Sequence, residues 1–130
     1  MLLDSSVLIP LSRGELPMGV VDRLPPELSL SHVVVGEYLA GIRNPEHRRS
    51  DEAAAWFRAF LRDVAVLPGT RATAAHDARL HHHTRRSGRP IPLNDLWIAA
   101  TAAEHEIRLL TRDAHFRGLP GVEAEVVDPA

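Results

Sequence analysis

The chain has no cysteine, so neither a disulfide framework nor a thiolate metal site is available to it. That absence fits the cytoplasm. It also has no lysine: all fifteen basic residues are arginine. No apolar run reaches membrane-spanning length, which predicts no membrane association. The opening MLLDSSVLIP lacks a basic segment and a long apolar core, so a signal peptide is not expected. No GxxxxGK[ST] or GxGxxG loop is present, which removes support for nucleotide-cofactor readings. There is no repeat, low-complexity tract or interdomain linker.

What is there is 130 residues, 45% of them hydrophobic, enough for one domain with a real core. The formal charge of −2 carries no nucleic-acid signature. Setting aside four carboxylates as site residues turns it to +2. Arginine forks grip phosphate bidentately, but GC-rich codon usage is the better explanation of an all-arginine chain.

Short apolar runs alternate with helical patterns. Met1 to Leu3 predicts a first strand tipped by Asp4, followed by a helix capped by Ser5 or Ser6 and running to Leu11. Pro10 in it requires an early-turn position or a distortion. Residues 14–26 hold three prolines and two glycines, with room for a short helix around Val20, Val21 and Leu24. Leu28 to Leu30 predicts a second strand, and Ser31 caps a helix through Ile42. Its apolar face is expected to be Val35, Tyr38, Leu39 and Ile42, with Glu37 bordering it and Gly41 leaving room. Pro45-Glu46 opens an amphipathic helix whose stripe is Ala53, Trp56, Phe57, Phe60, Leu61 and Val64. Those aromatics read as core, not as a base-stacking platform.

Ala65 to Leu67 predicts a third strand. Thr70 caps a helix that fades in His81 to Arg86, before a loop from Ser87 to Pro92. Asn94-Asp95 starts a buried helix, apolar from Leu96 to Ala103. Ile107 to Leu110 predicts a fourth strand ended by Thr111-Arg112-Asp113, and Val122 to Val127 a fifth, at an edge, before Asp128-Pro129. The alternation predicts an α/β fold: a parallel sheet with helices on both faces.

Asp4 and Asp113 then fall at strand carboxyl ends, Asp95 begins a helix leading back from that edge, and Glu37 borders a nearby helix. In open α/β sheets that edge is where ligands bind. Singly, each acid has an ordinary explanation as a cap, a turn former or a solvated side chain. Together they repel: two charges about 5 Å apart at an effective dielectric near 20 cost roughly 3 kcal/mol. Such a cluster needs a cation, and an all-oxygen set points to Mg²⁺ or Mn²⁺ rather than Zn²⁺. Carboxylate-held metal that positions a water implies phosphodiester hydrolysis.

The pieces LLDSSVLI, SHVVVGEYLAGI, PLNDLWIAATA and LLTRDAHF, in this order, resemble the PIN-domain family, and within it the VapC-type toxins of bacterial toxin–antitoxin pairs. The resemblance covers residues 1–130 as a single domain. It implies a five-stranded parallel sheet, a homodimer, Mg²⁺ or Mn²⁺, and cytoplasmic endoribonuclease activity on RNA. It also implies a small antitoxin protein whose tail occupies the acidic groove. The family's acidic site carries over onto Asp4, Glu37, Asp95 and Asp113 as catalytic metal ligands. Ser6 and Thr111 match supporting hydroxyl residues. The Pro-rich segment 14–26 departs from the pattern, being short for a long second helix.

Arg85, Arg86, Arg89, Arg112 and Arg117 are candidate RNA contacts. His81, His82 and His83 do not make a joint metal site, because consecutive helical residues do not share a face. His115 sits near the acids, where a phosphate contact or a helix-capping role is expected. A response-regulator receiver wants an acidic pair near the first strand and a late lysine, both missing here. Haloacid-type phosphohydrolases want Asp-x-Asp, where this chain has Asp4 and Ser6. The remaining alternative is a non-catalytic PIN-like module that binds RNA or protein.

Overall fold

A computed structural model describes residues 1–127; the expected Asp128-Pro129 ending lies outside the described residues. Strands β1 (Leu2–Leu3), β2 (Leu28–Ser31), β3 (Val64–Leu67), β4 (Leu109–Thr111) and β5 (Ala124–Val126) form one sheet in the order β3-β2-β1-β4-β5. Every pairing is parallel. Successive residues of a strand point to opposite faces, and Leu2 and Leu3 are both fully buried. The sheet centre is therefore covered on both sides, as is β4, where Leu109, Leu110 and Thr111 are all buried.

Helices α1 (Ser5–Ser12), α2 (Met18–Val21), α3 (His32–Ile42), α4 (Ser50–Phe60), α5 (Arg71–Ser87) and α6 (Leu93–His105) supply that cover. α6 is the most buried, with Leu96 and Ile98 to Ala103 all inside. Its alanines let neighbouring elements approach closely. Thr70 and Thr73, at the start of α5, both donate to the Glu104 carboxylate at the end of α6 and tie the two helices together.

Several boundaries differ from expectation for identifiable reasons. α1 has Asp4, not a serine, at its N-cap position, and no side chain caps it. Pro10 lies in its second half, not in the first turn; α1 ends two residues later, so little helix is lost. α2 is only one turn, as the prolines of 14–26 dictate. α3 buries Val34 and Tyr38, while Leu39 is 45% exposed and not part of the inner face. α4 begins at Ser50, not at Pro45-Glu46. The Asn44 side chain takes the Glu46 N–H (3.0 Å) and the His47 ring takes the Arg49 N–H (3.2 Å). Such local bonds compete with helix. α4 also stops earlier than its apolar stripe, in a 3-10 turn (Leu61–Asp63), because Val64 pairs with Leu28 in the sheet. α5 does not fade at the histidines but runs to Ser87, where left-handed Gly88 ends it.

Candidate active site

The strand order places the site. β1, β2 and β3 run outward in one direction and β4, β5 in the other, so the order reverses between β1 and β4. A crevice outside the carboxyl ends of the strands opens at such a reversal. The register sets Leu3 beside Leu110, and the Asp4 N–H donates to the Leu110 carbonyl at 3.0 Å. Asp4 therefore leaves the sheet next to Thr111.

Asp4 is 3% exposed and held by hydroxyls. Ser6 Oγ donates to Asp4 Oδ2 at 2.7 Å, and Thr111 Oγ1 donates to the same oxygen at 2.8 Å. Each hydroxyl is itself fixed by a backbone N–H: Arg112 N–H on Ser6 Oγ (2.9 Å) and Asp113 N–H on Thr111 Oγ1 (3.0 Å). A hydroxyl carries one proton, so both are committed to Asp4. The 3.2 Å approach of Ser6 to Thr111 is contact rather than donation. Asp4 Oδ1, by contrast, is buried with no hydrogen-bond partner.

Other acids lie within reach of the Asp4 charge. Asp95 is in the first turn of α6, whose N-cap position is Pro92, so its carboxylate is not used as a cap. Burial pushes its carboxyl above the usual range, with the charges of Asp4 and Asp113 adding to the rise and His115 opposing it. Glu37, on α3, is likewise raised by burial, then by Asp4 and Asp95, with Asn94 pulling the other way. Glu37 Oε1 is also buried without a hydrogen-bond partner. Asp113 begins a 3-10 turn (Ala114–Phe116) and accepts the His115 N–H at 2.9 Å. It acts as a turn former as well as facing the cluster. The charges of Asp4 and Asp95 thus bear on Glu37, and those of Asp4 and Asp113 bear on Asp95, so the four acids expected from the sequence share one neighbourhood.

An anionic cluster with two orphaned buried oxygens fits a hard divalent cation, which would replace the missing hydrogen-bond donors and cancel the repulsion. Asp95, Asp113 and His115 each offer a ligand atom, all within 4.8 Å of one another.

The arginines divide. Arg85 and Arg86 are exposed in the last turn of α5. Arg89 donates to the carbonyls of His115 (3.0 Å) and Arg117 (3.1 Å), so it braces the turn beside Asp113. Arg112 is half-buried beside Ser6, and Arg117 is exposed. Among the histidines, His81 pairs with Asp77 at 3.3 Å, one turn along α5. A groove of about 770 Å³ opens next to Glu37, walled by Ile9, Tyr38, Ile42 and Trp56 and edged by arginines (Arg13, Arg49) and glutamates (Glu15, Glu52). Gly41 borders it with open space where a side chain would project, as its position in the sequence suggested. The groove itself was not legible there: its walls come from α1, α3, α4 and the 43–49 turns.

Comparison with known proteins agrees with this geometry. Residues 1–122 match the PIN domain family model. The chain is 42% identical over 59 residues to Ribonuclease VapC5 of Mycobacterium tuberculosis, a stretch that spans 45% of this chain and 44% of that relative. The crystal structure of VapBC-5, a toxin–antitoxin family member from the same organism, superposes with a TM-score of 0.79 at 28% identity, covering 97% of both chains. VapBC2 from Rickettsia felis, solved bound to a DNA fragment from its promoter, gives a TM-score of 0.85 at 18% identity, covering 95% of this chain and 96% of that one. The second likeness is one of fold alone. With the model match spanning nearly its whole length and the acids meeting at the strand reversal, this chain belongs to the PIN-domain family.

Proposed function

We propose that the chain is a Mg²⁺- or Mn²⁺-dependent endoribonuclease and the toxin of a VapC-type toxin–antitoxin pair, acting in the cytoplasm on RNA. The observation that carries this reading is Asp4 Oδ1: a buried carboxylate oxygen with no donor, on an acid whose charge bears on Glu37 and Asp95. Asp4, Asp95, Asp113 and Glu37 would hold the metal, which supplies charge neutralisation at the phosphate and an activated water. Ser6 and Thr111 hold Asp4 by Oδ2 and leave Oδ1 to the metal. Arg85, Arg86 and Arg112 serve as RNA contacts. Relatives named as ribonuclease and as toxin–antitoxin complexes support the assignment. The groove beside Glu37, with apolar walls and an edge of both charge signs, is where a segment of antitoxin would lie. A homodimer is part of the proposal, implied by the family resemblance and checked by light scattering.

The runner-up is a PIN-like module that binds RNA without cutting it. Incubating purified protein with RNA in Mg²⁺ or Mn²⁺, and again in EDTA, separates the two. The nuclease shortens RNA only with metal. A binder shifts RNA and leaves it intact in both, which would remove the catalytic assignment.

A further inference from the structure

His115 narrows the chemistry of the pocket beyond its acids. Its Nδ1 lies 3.2 Å from Asp113 Oδ1 and 3.6 Å from Asp95 Oδ2. Adjacent ligands of an octahedral ion with bonds near 2.1 Å are about 3 Å apart. The ring nitrogen therefore stands near ligand spacing from each carboxylate, and with the ligand atoms of the three groups within 4.8 Å of one another, an inward movement of the side chains completes the triad. The turn that carries the ring is fixed independently of any cation. Asp113 Oδ1 takes the His115 N–H, Arg89 donates to the His115 carbonyl, and the next residue, Phe116, is fully buried. Asp4, whose charge bears on Asp95, adds a second sign of a ligand in its buried, unpartnered Oδ1.

Resting on the metal-pocket reading above, we propose that His115 Nδ1 is a direct ligand of the cation. The site is then a mixed oxygen–nitrogen site that selects Mn²⁺ over Mg²⁺. Mg²⁺ holds to oxygen ligands and gives up water reluctantly. A transition ion accepts imidazole more readily, and the neutral ring offers it one nitrogen lone pair. An all-carboxylate pocket has no such reason to discriminate. The neighbouring carboxylates and the fixed turn present the ring, and Arg89 is its positioning residue.

The test is pulsed electron paramagnetic resonance on the full chain loaded with Mn²⁺ alone, together with titration of the free-Mn²⁺ signal. The wild-type protein should show ¹⁴N modulation from a directly bound nitrogen, a result that needs no substitution. His115→Ala should lose the modulation and weaken Mn²⁺ binding by at least the roughly tenfold that loss of even an outer-sphere partner costs. His115→Asp should retain Mn²⁺ without nitrogen modulation and bring the Mn²⁺ and Mg²⁺ affinities closer together. Mn²⁺ bound tightly by the wild type with no nitrogen coupling overturns the ligand assignment and leaves the acidic pocket standing. Failure of the wild type to bind Mn²⁺ at all removes the pocket itself.

Discussion

Two buried aspartates in this molecule look alike by burial and differ in everything that matters for function. Asp4 and Asp77 are 3% and 7% exposed, and each has one oxygen without a hydrogen-bond partner. Asp77 sits on α5 beside His81, 3.3 Å away on the next turn, whose charge and hydrogen bond offset the rise that burial imposes. Asp4 has Ser6 and Thr111 on one oxygen, and its charge bears on Glu37 and Asp95. Burial alone therefore does not mark a metal ligand. Asp77 has an imidazole partner on its own helix, whereas the charge of Asp4 bears on other acids at a strand reversal, where the proposed cation would bind.

The sharpest way to break this contrast is to neutralise each aspartate. Asp4→Asn should lower RNA cleavage by on the order of a hundredfold or more, comparable to losing a principal electrostatic stabiliser. Asp77→Asn should leave it within about twofold. Equal losses in a gel-based cleavage assay would erase the distinction.

Metal-linked stability comes next. Mg²⁺ or Mn²⁺ at a hundredfold excess over Kd should add about 2.7 kcal/mol to the wild type and to Asp77→Asn. That is a rise of order 10 °C in Tm for a chain of this size. Asp4→Asn should show little of it. A melting curve unmoved by millimolar metal in all three proteins would contradict a preformed pocket.

Removing one support of Asp4 should have a smaller effect. Thr111→Val deletes a donor to Asp4 Oδ2 and strands the Asp113 N–H. A loss of about 1–3 kcal/mol in urea unfolding is expected, with cleavage reduced but measurable. Wild-type stability in this variant would mean that the hydroxyl network does not hold the acid.

The smallest effect is a pH slope. Burial and mutual repulsion raise the carboxyls of Glu37 and Asp95 in the folded chain. The native state thus binds their protons more tightly than the unfolded state does. In EDTA, stability from these groups is present below their unfolded values near pH 4 and falls as pH rises through their raised folded values. Asp95→Asn should flatten that fall, and saturating Mg²⁺ should remove it, because the cation then favours the ionised form. Urea titrations between pH 4 and 7 measure the slope, and an identical fall in wild type and Asp95→Asn would contradict the coupling.

Much of the site was legible because strand ends and helix starts announce themselves. Leu2-Leu3 before Asp4, Leu109-Leu110 before Thr111, and the buried run of α6 after Asp95 put three acids on one edge from pattern alone. Glu37 was harder. Of the stripe expected on α3, Tyr38 is buried and Val35 and Ile42 pack against the core, but Leu39 is exposed and Val34 is buried instead; apolar spacing in so hydrophobic a helix does not choose between them. α5 escaped its true length because its inward face is Thr73, Asp77, Leu80 and Thr84, mostly polar groups that hydropathy cannot recognise as buried. His115 carried only a two-residue spacing from Asp113. The 3-10 turn, which brings the imidazole back onto the carboxylates, follows from Arg89 and buried Phe116, both distant from the motif's chemistry.

The most direct measurement is an anomalous-difference map from a crystal of this chain soaked in Mn²⁺. The account predicts a peak at coordination distance, about 2 Å, from Asp4 Oδ1 and from the carboxylates of Asp95 or Asp113. A map with no peak there, or with Mn²⁺ bound only at surface acids, would contradict it.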